Sequence, residues 1–178
     1  MSDYGTIIAP DTIRFERLLP GPIERVWSFL VDSDKRGQWL ASGVMEPRAE
    51  ARFALSFHHA NLSPNIAPTP ERFKAMENGA TSQHRVLRAE PPRLLSFTWS
   101  AEAEVPSEVT FELEPEGDKV RLVLTHRRLP SGEMANTAGG WHTHLAILAD
   151  KLAGRTPPSF WTLFEGIEAE YGRRLGAL

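Results

Sequence analysis

Hydrophobic and polar residues alternate near the start of the chain and then change to a helical spacing. In the stretch TIRFERLL, Ile13 and Phe15 fall on one side of the backbone, which predicts a half-buried strand. The following segment, PGPIERVWSFLVDSDKRGQWL, opens with a Gly-Pro helix-start signal and spaces its apolar residues for a helix. Asp32 or Ser33 can cap a second short helix that ends near Trp39. We therefore expect one strand followed by two short helices.

From about residue 44 to residue 128 the period of two returns, in runs separated by turn residues. RFALSF and RLLSFTW each place three large apolar side chains on one face, and EVTFELEPEGDKVRLVLTH predicts a β-hairpin. The opposite face is polar, as expected for an antiparallel sheet covered on one side. The same alternation predicts that His58 and His59 point to opposite faces of a strand, so they cannot bind one metal ion together, but either could face the covered side of the sheet by itself. It also predicts that His84 shares a face with Val86 and Arg88.

The segment 61–82, NLSPNIAPTPERFKAMENGATS, interrupts the strands with three prolines and no period of two. Long segments of this kind are commonly functional lids or surface insertions, and both interpretations remain open. Within it, Thr69 as the cap and Pro70 in the first helical position predict a short helix.

After PSGEMANTAGG the last third of the chain has a helical pattern. Its apolar stripe consists of Trp141, Leu145, Leu148 and Leu152, and Gly154 with two prolines ends the helix. A final helix is expected at 159–175, capped by Ser159, with one apolar side made of Phe160, Leu163, Phe164 and Ile167. Its aromatic side chains can pack on the chain's own core, which we favour, or on a second subunit. The order of elements predicts an α+β fold with helices on one face of an antiparallel sheet.

Composition limits the class of protein. A chain of 178 residues is expected to form a single domain, here 1–178, and 41% hydrophobic with 24% charged residues is typical of a globular protein. The longest apolar runs are too short to cross a membrane, and the first residues do not resemble a secretion signal, so we expect a cytoplasmic location. The net charge of −3, with scattered basic residues, argues against nucleic acid as a partner. The sequence contains no cysteine, which excludes disulfides and thiol chemistry.

Four segments agree with a known family in type and in order: IERVWSFLVDSDKRGQWL, EPPRLLSFTW, VRLVLTHRRLP and GGWHTHLAILADKLAG. From Thr12 to Gly154 the chain resembles the activator of heat-shock-protein-90 ATPase homologue-like branch of the START/Bet v 1-like (SRPBCC) superfamily. The resemblance implies a helix-grip fold, in which a curved antiparallel sheet wraps around a long C-terminal helix and leaves a cavity between them. It also implies binding of hydrophobic small molecules such as lipids, hormones or polyketides, with catalysis in a minority of members.

The insertion at 61–82 and the helix after Pro158 lie outside the minimal pattern of that superfamily. The resemblance therefore carries over neither the cavity entrance nor the oligomer contacts, and a monomer and a homodimer both stay open.

The histidines of the long helix are the first candidates for chemistry. His142 and His144 lie two positions apart, roughly 200° around the helix axis, so they cannot bind one metal ion together. With no other ligand spacing in the chain, we expect neither a metal nor a cofactor. His144 lies on the apolar stripe and faces the sheet, either bonded to a backbone carbonyl or in contact with a ligand. His126 continues the inward face of its strand and also points toward the helix.

No G-x-S-x-G elbow, P-loop, G-x-G-x-x-G or H-E-x-x-H motif is present, so the catalytic residues are unknown. General acid or base catalysis inside the cavity by an inward carboxylate, arginine or histidine remains possible, and Arg17 is the charged residue to consider first. Arg17 continues the face of Ile13 and Phe15, but at a strand end we expect its charge to stay in solvent.

Twelve residues are expected to line the cavity, from the inward faces of the strands and the stripe of the long helix. They are Phe53, Leu55, Phe57, Phe97, Trp99, Phe111, Leu124, His126, Trp141, His144, Leu145 and Leu148. The expected function is binding of a small hydrophobic or amphipathic ligand. One alternative is a cyclase or dehydratase-like enzyme that uses the same cavity, with His126 or His144 transferring protons. A second is a co-chaperone or other protein-interaction role, which rests on the family name alone.

Overall fold

The computed structural model describes residues 2–176. Seven strands form one antiparallel sheet in the order β1-β2-β7-β6-β5-β4-β3. The strands are β1 (Thr6–Ala9), β2 (Thr12–Pro20), β3 (Arg52–Phe57), β4 (Ala80–Glu90), β5 (Leu94–Trp99), β6 (Ser107–Glu116) and β7 (Lys119–Arg127). The α-helices are α1 (Ile23–Val31), α2 (Ser33–Gly37), α3 (Met134–Leu152) and α4 (Phe160–Gly176), and two 3-10 helices span His59–Leu62 and Glu71–Met76.

The apolar faces of the strands and the stripe of α3 meet in one core, as the alternating patterns predicted. The expected α+β helix-grip fold is confirmed: a curved sheet packs around the long helix α3. The short α2 helix is capped as predicted, since the Asp32 side chain accepts a hydrogen bond of 3.0 Å from the backbone N–H of Lys35.

Strand β1 was not expected from the sequence, so α1 and α2 follow the second strand of the sheet. It pairs with β2 at the sheet edge, with Thr6 opposite Arg14 and Ile7 opposite Ile13. Its residues are exposed or only partly buried, so the sequence lacks the alternation of buried apolar and exposed polar residues that predicts a strand. The strand forms because β2 offers an unpaired edge, a condition that depends on the fold and not on local sequence.

The long helix α3 begins at Met134, earlier than its apolar stripe indicated, and continues through Gly139 and Gly140. Glycine normally weakens a helix by up to about 1 kcal/mol. Here Gly139 permits a close approach of α4, because a Cβ at this position would lie 3.0 Å from the Cβ of Glu168. Packing between the two helices therefore outweighs the local preference.

Several local predictions were wrong. Strand β3 ends at Phe57, so His58 and His59 do not share a strand, and His59 begins a 3-10 helix. Arg88 leaves the inward face of His84 and Val86, because the register of β4 shifts between Val86 and Arg88.

The short helix in the insertion is of the 3-10 type and starts at Glu71. No side chain caps it, and Thr69 is buried instead.

The expectation that Arg17 stays in solvent was also wrong. Its side chain is 8% exposed, and one guanidinium nitrogen donates a hydrogen bond of 2.9 Å to the carbonyl of Glu16. Asp3 of the N-terminal segment and Tyr171 of α4 lie close enough to Arg17 to affect its pKa, a surrounding that the local pattern could not reveal. Burial lowers the pKa of Arg17, and the negative charge of Asp3 acts in the opposite direction.

Helix α4 packs on its own chain, as favoured from the sequence. Its buried residues are Phe160, Trp161, Phe164 and Tyr171, whereas Leu163 and Ile167 are only partly buried. The helix rests on α3 and on the insertion, where the ring of Phe73 stacks on Trp161 at 5.0 Å between centroids. The two segments outside the minimal family pattern thus pack against each other.

Candidate functional site

A cavity of about 330 Å³ lies between the ends of β3 to β5, helix α3, the first turn of α4 and the insertion. Its walls are mainly aromatic. Phe57 and Trp99 come from the ends of β3 and β5, Trp141 comes from α3, and Phe160 and Trp161 come from α4. The rings of Trp99 and Trp141 lie 5.2 Å apart between centroids, so the sheet and the long helix meet directly at the cavity floor. This apolar, concave surface has the character of a small-molecule site.

Four of the twelve residues named from the sequence line the cavity, namely Phe57, Trp99, Trp141 and His144. The other eight are buried in the core, outside the cavity lining: Phe53, Leu55, Phe97, Phe111, Leu124, His126, Leu145 and Leu148. The difference has a packing cause. Most of the concave sheet face packs in one core with α3, α1 and the residues after α2, and the cavity lies at the end where the insertion and α4 arrive.

The insertion and α4 supply wall residues that the sequence reasoning missed. These are Phe73, Phe160, Trp161 and Phe164, whereas His59, which follows β3, was left open by the sequence and does line the cavity. The sequence did carry a signal, because the aromatic content of the final helix was high for a peripheral contact. Period and spacing alone could not show that these aromatic rings reach the same space as Trp99 and Trp141.

His144 is held by the backbone and also lines the cavity. Its Nδ1 lies 2.7 Å from the carbonyl oxygen of Trp39. Since a carbonyl only accepts, Nδ1 carries the proton and Nε2 keeps a lone pair. Burial lowers the pKa of His144 to about 3, so the ring is neutral near pH 7. The two readings of this residue, a core histidine and a cavity residue, therefore apply together.

A second imidazole, His59, faces the same space. Its ring centroid lies 5.8 Å from that of His144 and 4.5 Å from that of Phe160. Its Nδ1 is buried and has no hydrogen-bond partner among residues 2–176. Burial, followed by the nearby His58, lowers the pKa of His59 to about 4. The cavity thus contains two neutral imidazoles within an aromatic wall.

His126 lies outside the cavity and forms a hydrogen bond with the wall residue Trp141. The indole N–H of Trp141 donates a hydrogen bond of 2.9 Å to Nδ1 of His126. The proton of the neutral ring is then on Nε2, which donates to the Ser107 hydroxyl at 2.8 Å. Burial lowers the pKa of His126 to about 3. Both ring nitrogens are engaged, so this histidine orients Trp141 and does not itself reach the cavity.

Ser82 and His84 form a third polar group, on β4. Ser82 lines the cavity, and its hydroxyl lies 2.6 Å from Nε2 of His84. The other ring nitrogen, Nδ1, lies 2.8 Å from the carbonyl oxygen of Thr98. That carbonyl fixes the proton on Nδ1, so the serine hydroxyl donates to Nε2. Burial lowers the pKa of His84, against the effect of the bond to Thr98.

His142 lies on the other side of α3, away from the cavity. Its Nδ1 is 3.0 Å from the hydroxyl of Tyr171 on α4. The same hydroxyl accepts a 2.7 Å hydrogen bond from the backbone N–H of Gly5. Burial, followed by the charge of Arg17, lowers the pKa of His142 to about 4. These bonds join the N-terminal segment, α3 and α4.

Among residues 2–176, no three His, Cys, Asp or Glu side chains come close enough to hold a metal ion. Within the same residues, no helix has the length and apolar character required to span a membrane.

The chain was also compared with known proteins. A family model described as "Activator of Hsp90 ATPase homolog 1-like protein" matches residues 20–153. The solution NMR structure of a protein from Bordetella parapertussis is 49% identical, with a TM-score of 0.81 over 97% of this chain and 91% of that chain. No curated protein sequence matches.

More distant solved structures share the fold. CalU16 from Micromonospora echinospora is 23% identical, with a TM-score of 0.66 over 91% of this chain and 86% of that chain. A conserved protein from Enterococcus faecalis is 19% identical, with a TM-score of 0.68 over 98% of this chain and 91% of that chain.

Proposed function

Since the chain belongs to the activator of Hsp90 ATPase homologue 1-like family, we propose that it binds a small hydrophobic or amphipathic ligand in the cavity beside α3. The observation that carries the proposal is the cavity itself, about 330 Å³ with aromatic walls and two neutral imidazoles. Its size is within the usual range for small-molecule sites, at the lower end. A flat molecule of two fused rings is the kind of ligand that fits such a space.

The polar part of the ligand follows from the protonation of His144. With the proton on Nδ1, its Nε2 can only accept a hydrogen bond. A ligand hydroxyl or N–H group satisfies that nitrogen, whereas a carboxylate presents a second set of lone pairs and loses its hydration. The cavity therefore favours a neutral ligand with a hydrogen-bond donor over an anion with the same rings.

The insertion at 61–82 serves as the gate of this cavity in our proposal. It is held to α4 and the turn before it: the Ser63 hydroxyl donates a 2.6 Å hydrogen bond to the carbonyl of Pro157, and Arg72 forms an ion pair with Glu168. Phe73 closes the wall by stacking on Trp161. Leu62 at the start of the insertion stays in the core, whereas the polar and aromatic contacts that follow it can open locally.

Binding can be tested with 1-naphthol, a neutral two-ring compound with one hydroxyl, by quenching of tryptophan fluorescence. Gly140 lines the cavity, and a Cβ added there meets no atom within 4 Å, so the backbone can accept Gly140→Leu, which adds a bulky side chain at the cavity. Gly166→Leu is the matched control, because Gly166 also faces open space on a helix but lies outside the cavity.

We expect Gly140→Leu to weaken 1-naphthol binding at least tenfold and Gly166→Leu to leave it unchanged. We also expect 1-naphthoate to bind more weakly than 1-naphthol to the unaltered protein. Equal binding by all three proteins would place the probe elsewhere and would contradict the proposal. Native mass spectrometry of freshly purified protein, followed by denaturing extraction, then identifies a molecule that copurifies with it.

A further inference from the structure

The arrangement of Ser82, His84 and the Thr98 carbonyl has the geometry of an activated nucleophile. Residues two apart on a strand point to the same face, which brings the serine hydroxyl and the imidazole together on β4. The hydroxyl is 2.6 Å from Nε2, and the Thr98 carbonyl orients the ring from its other edge at 2.8 Å. A nucleophile bonded to a base that is itself oriented by a third group is the structural signature of covalent catalysis.

The two side chains are also placed differently with respect to the cavity. Ser82 lines it, while His84 is 1% exposed and stacks on the ring of Phe53 at 5.3 Å. The packing holds the imidazole in one orientation, and the hydroxyl remains at the surface that a bound molecule touches. Ser100, which follows β5, also lines the cavity and carries a hydroxyl that can donate a hydrogen bond to a substrate oxygen.

We propose that Ser82 is a nucleophile with His84 as its general base, and that the protein hydrolyses small aryl esters bound in the cavity. The inference rests on the proposed function, because the substrate must enter the same cavity. It adds a reaction and names an ester of a flat aromatic alcohol as the substrate class.

The reaction balances with water as the second reactant. The Ser82 oxygen forms a bond to the ester carbonyl carbon, and its proton passes to Nε2 of His84. The bond between that carbon and the aryl oxygen then breaks, and the departing oxygen takes the proton from His84. Water attacks the acyl group on Ser82, His84 receives a proton from the water, and the acid leaves as the Ser82 oxygen regains its proton.

The test uses 1-naphthyl acetate, whose hydrolysis releases fluorescent 1-naphthol, with the full-length protein. Ser82→Ala removes the nucleophile, and we expect hydrolysis to fall at least a hundredfold. Ser56→Ala is the matched control: Ser56 lies on neighbouring β3, outside the cavity, and its hydroxyl contacts Thr81 at 3.4 Å. We expect this control to retain the activity of the unaltered protein. Circular dichroism establishes that both variants fold.

Mass mapping after a short reaction should find the acetyl group on Ser82. His84→Gln should remove both hydrolysis and acetylation, because an amide cannot accept the proton. Equal hydrolysis by the unaltered protein and Ser82→Ala, or acetylation confined to lysines, would overturn the inference. Because 1-naphthol binding is measured separately, this failure leaves the binding proposal standing. If the unaltered protein does not bind 1-naphthol, that result would instead contradict the binding proposal itself.

Discussion

Mild acid should destabilise this protein through its buried histidines, among which His126 and His144 are the clearest. Burial lowers the pKa of each to about 3, whereas an unfolded histidine titrates near 6.5. Between these values the unfolded chain holds a proton that the folded chain does not. The free energy of unfolding therefore falls as the pH drops through this window, and it is regained as the pH rises above about 6.5.

The size of the effect follows from the shift. Below its unfolded pKa, each histidine lowers the free energy of unfolding by about 1.4 kcal/mol per pH unit. Between pH 6.5 and pH 5, each therefore lowers the free energy of unfolding by about 2 kcal/mol. The pair contributes about 4 kcal/mol, against a total stability of about 5–15 kcal/mol for a typical domain. His59 and His142, each with a pKa near 4, act in the same direction over a slightly narrower range.

The assay is urea unfolding followed by the fluorescence of the five tryptophans, at pH 7, 6 and 5. His126→Gln removes one titrating group but keeps a donor and an acceptor for Ser107 and Trp141. The loss of unfolding free energy between pH 6 and pH 5 should then be smaller by about 1.4 kcal/mol. His58→Gln removes an exposed imidazole whose charge contributes less than burial to the lowered pKa of His59, so this comparison variant should reduce the loss by less than His126→Gln does. An equal loss in His126→Gln and the unaltered protein would refute the reasoning.

Two other substitutions test how the fold is held beside the site. The Arg36 guanidinium is 1% exposed and donates to the carbonyls of Leu30 and Ala41, each at 3.1 Å. Arg36→Met should lower the free energy of unfolding in urea by about 3–5 kcal/mol, because each carbonyl left without a donor costs about 1–3 kcal/mol; a change below about 1 kcal/mol would contradict this. Gly43 has a φ of +140°, and a Cβ there would lie 1.9 Å from the carbonyl oxygen of Ala54. Gly43→Ala should therefore lower the melting temperature in calorimetry, whereas Gly140→Ala, in open space on α3, should keep or raise it; the same shift in both variants would be inconsistent with the backbone argument.

The sequence alone was sufficient for the elements whose signal is local. The alternation of large apolar and polar residues in β5, β6 and β7, and the stripe of α3 from Trp141 to Leu152, predicted the sheet and its covering helix. These patterns can be read without the fold, because a side chain's face depends only on its position along one strand or one helix. Together with the family resemblance, they determined the helix-grip architecture.

Tertiary structure decided the features that depend on contacts between distant segments. Strand β1 forms because β2 offers it an edge, and Arg17 is buried in the assembled fold, with Asp3 and Tyr171 from distant segments close to it. The cavity exists where the insertion meets α4, so Phe73 and Trp161 could not be assigned to it from spacing. The proton positions on His84 and His144 were fixed by the carbonyls of Thr98 and Trp39, which come from other elements. Local sequence sets the pattern of each element, but hydrogen-bond partners and enclosed volume arise only when those elements pack.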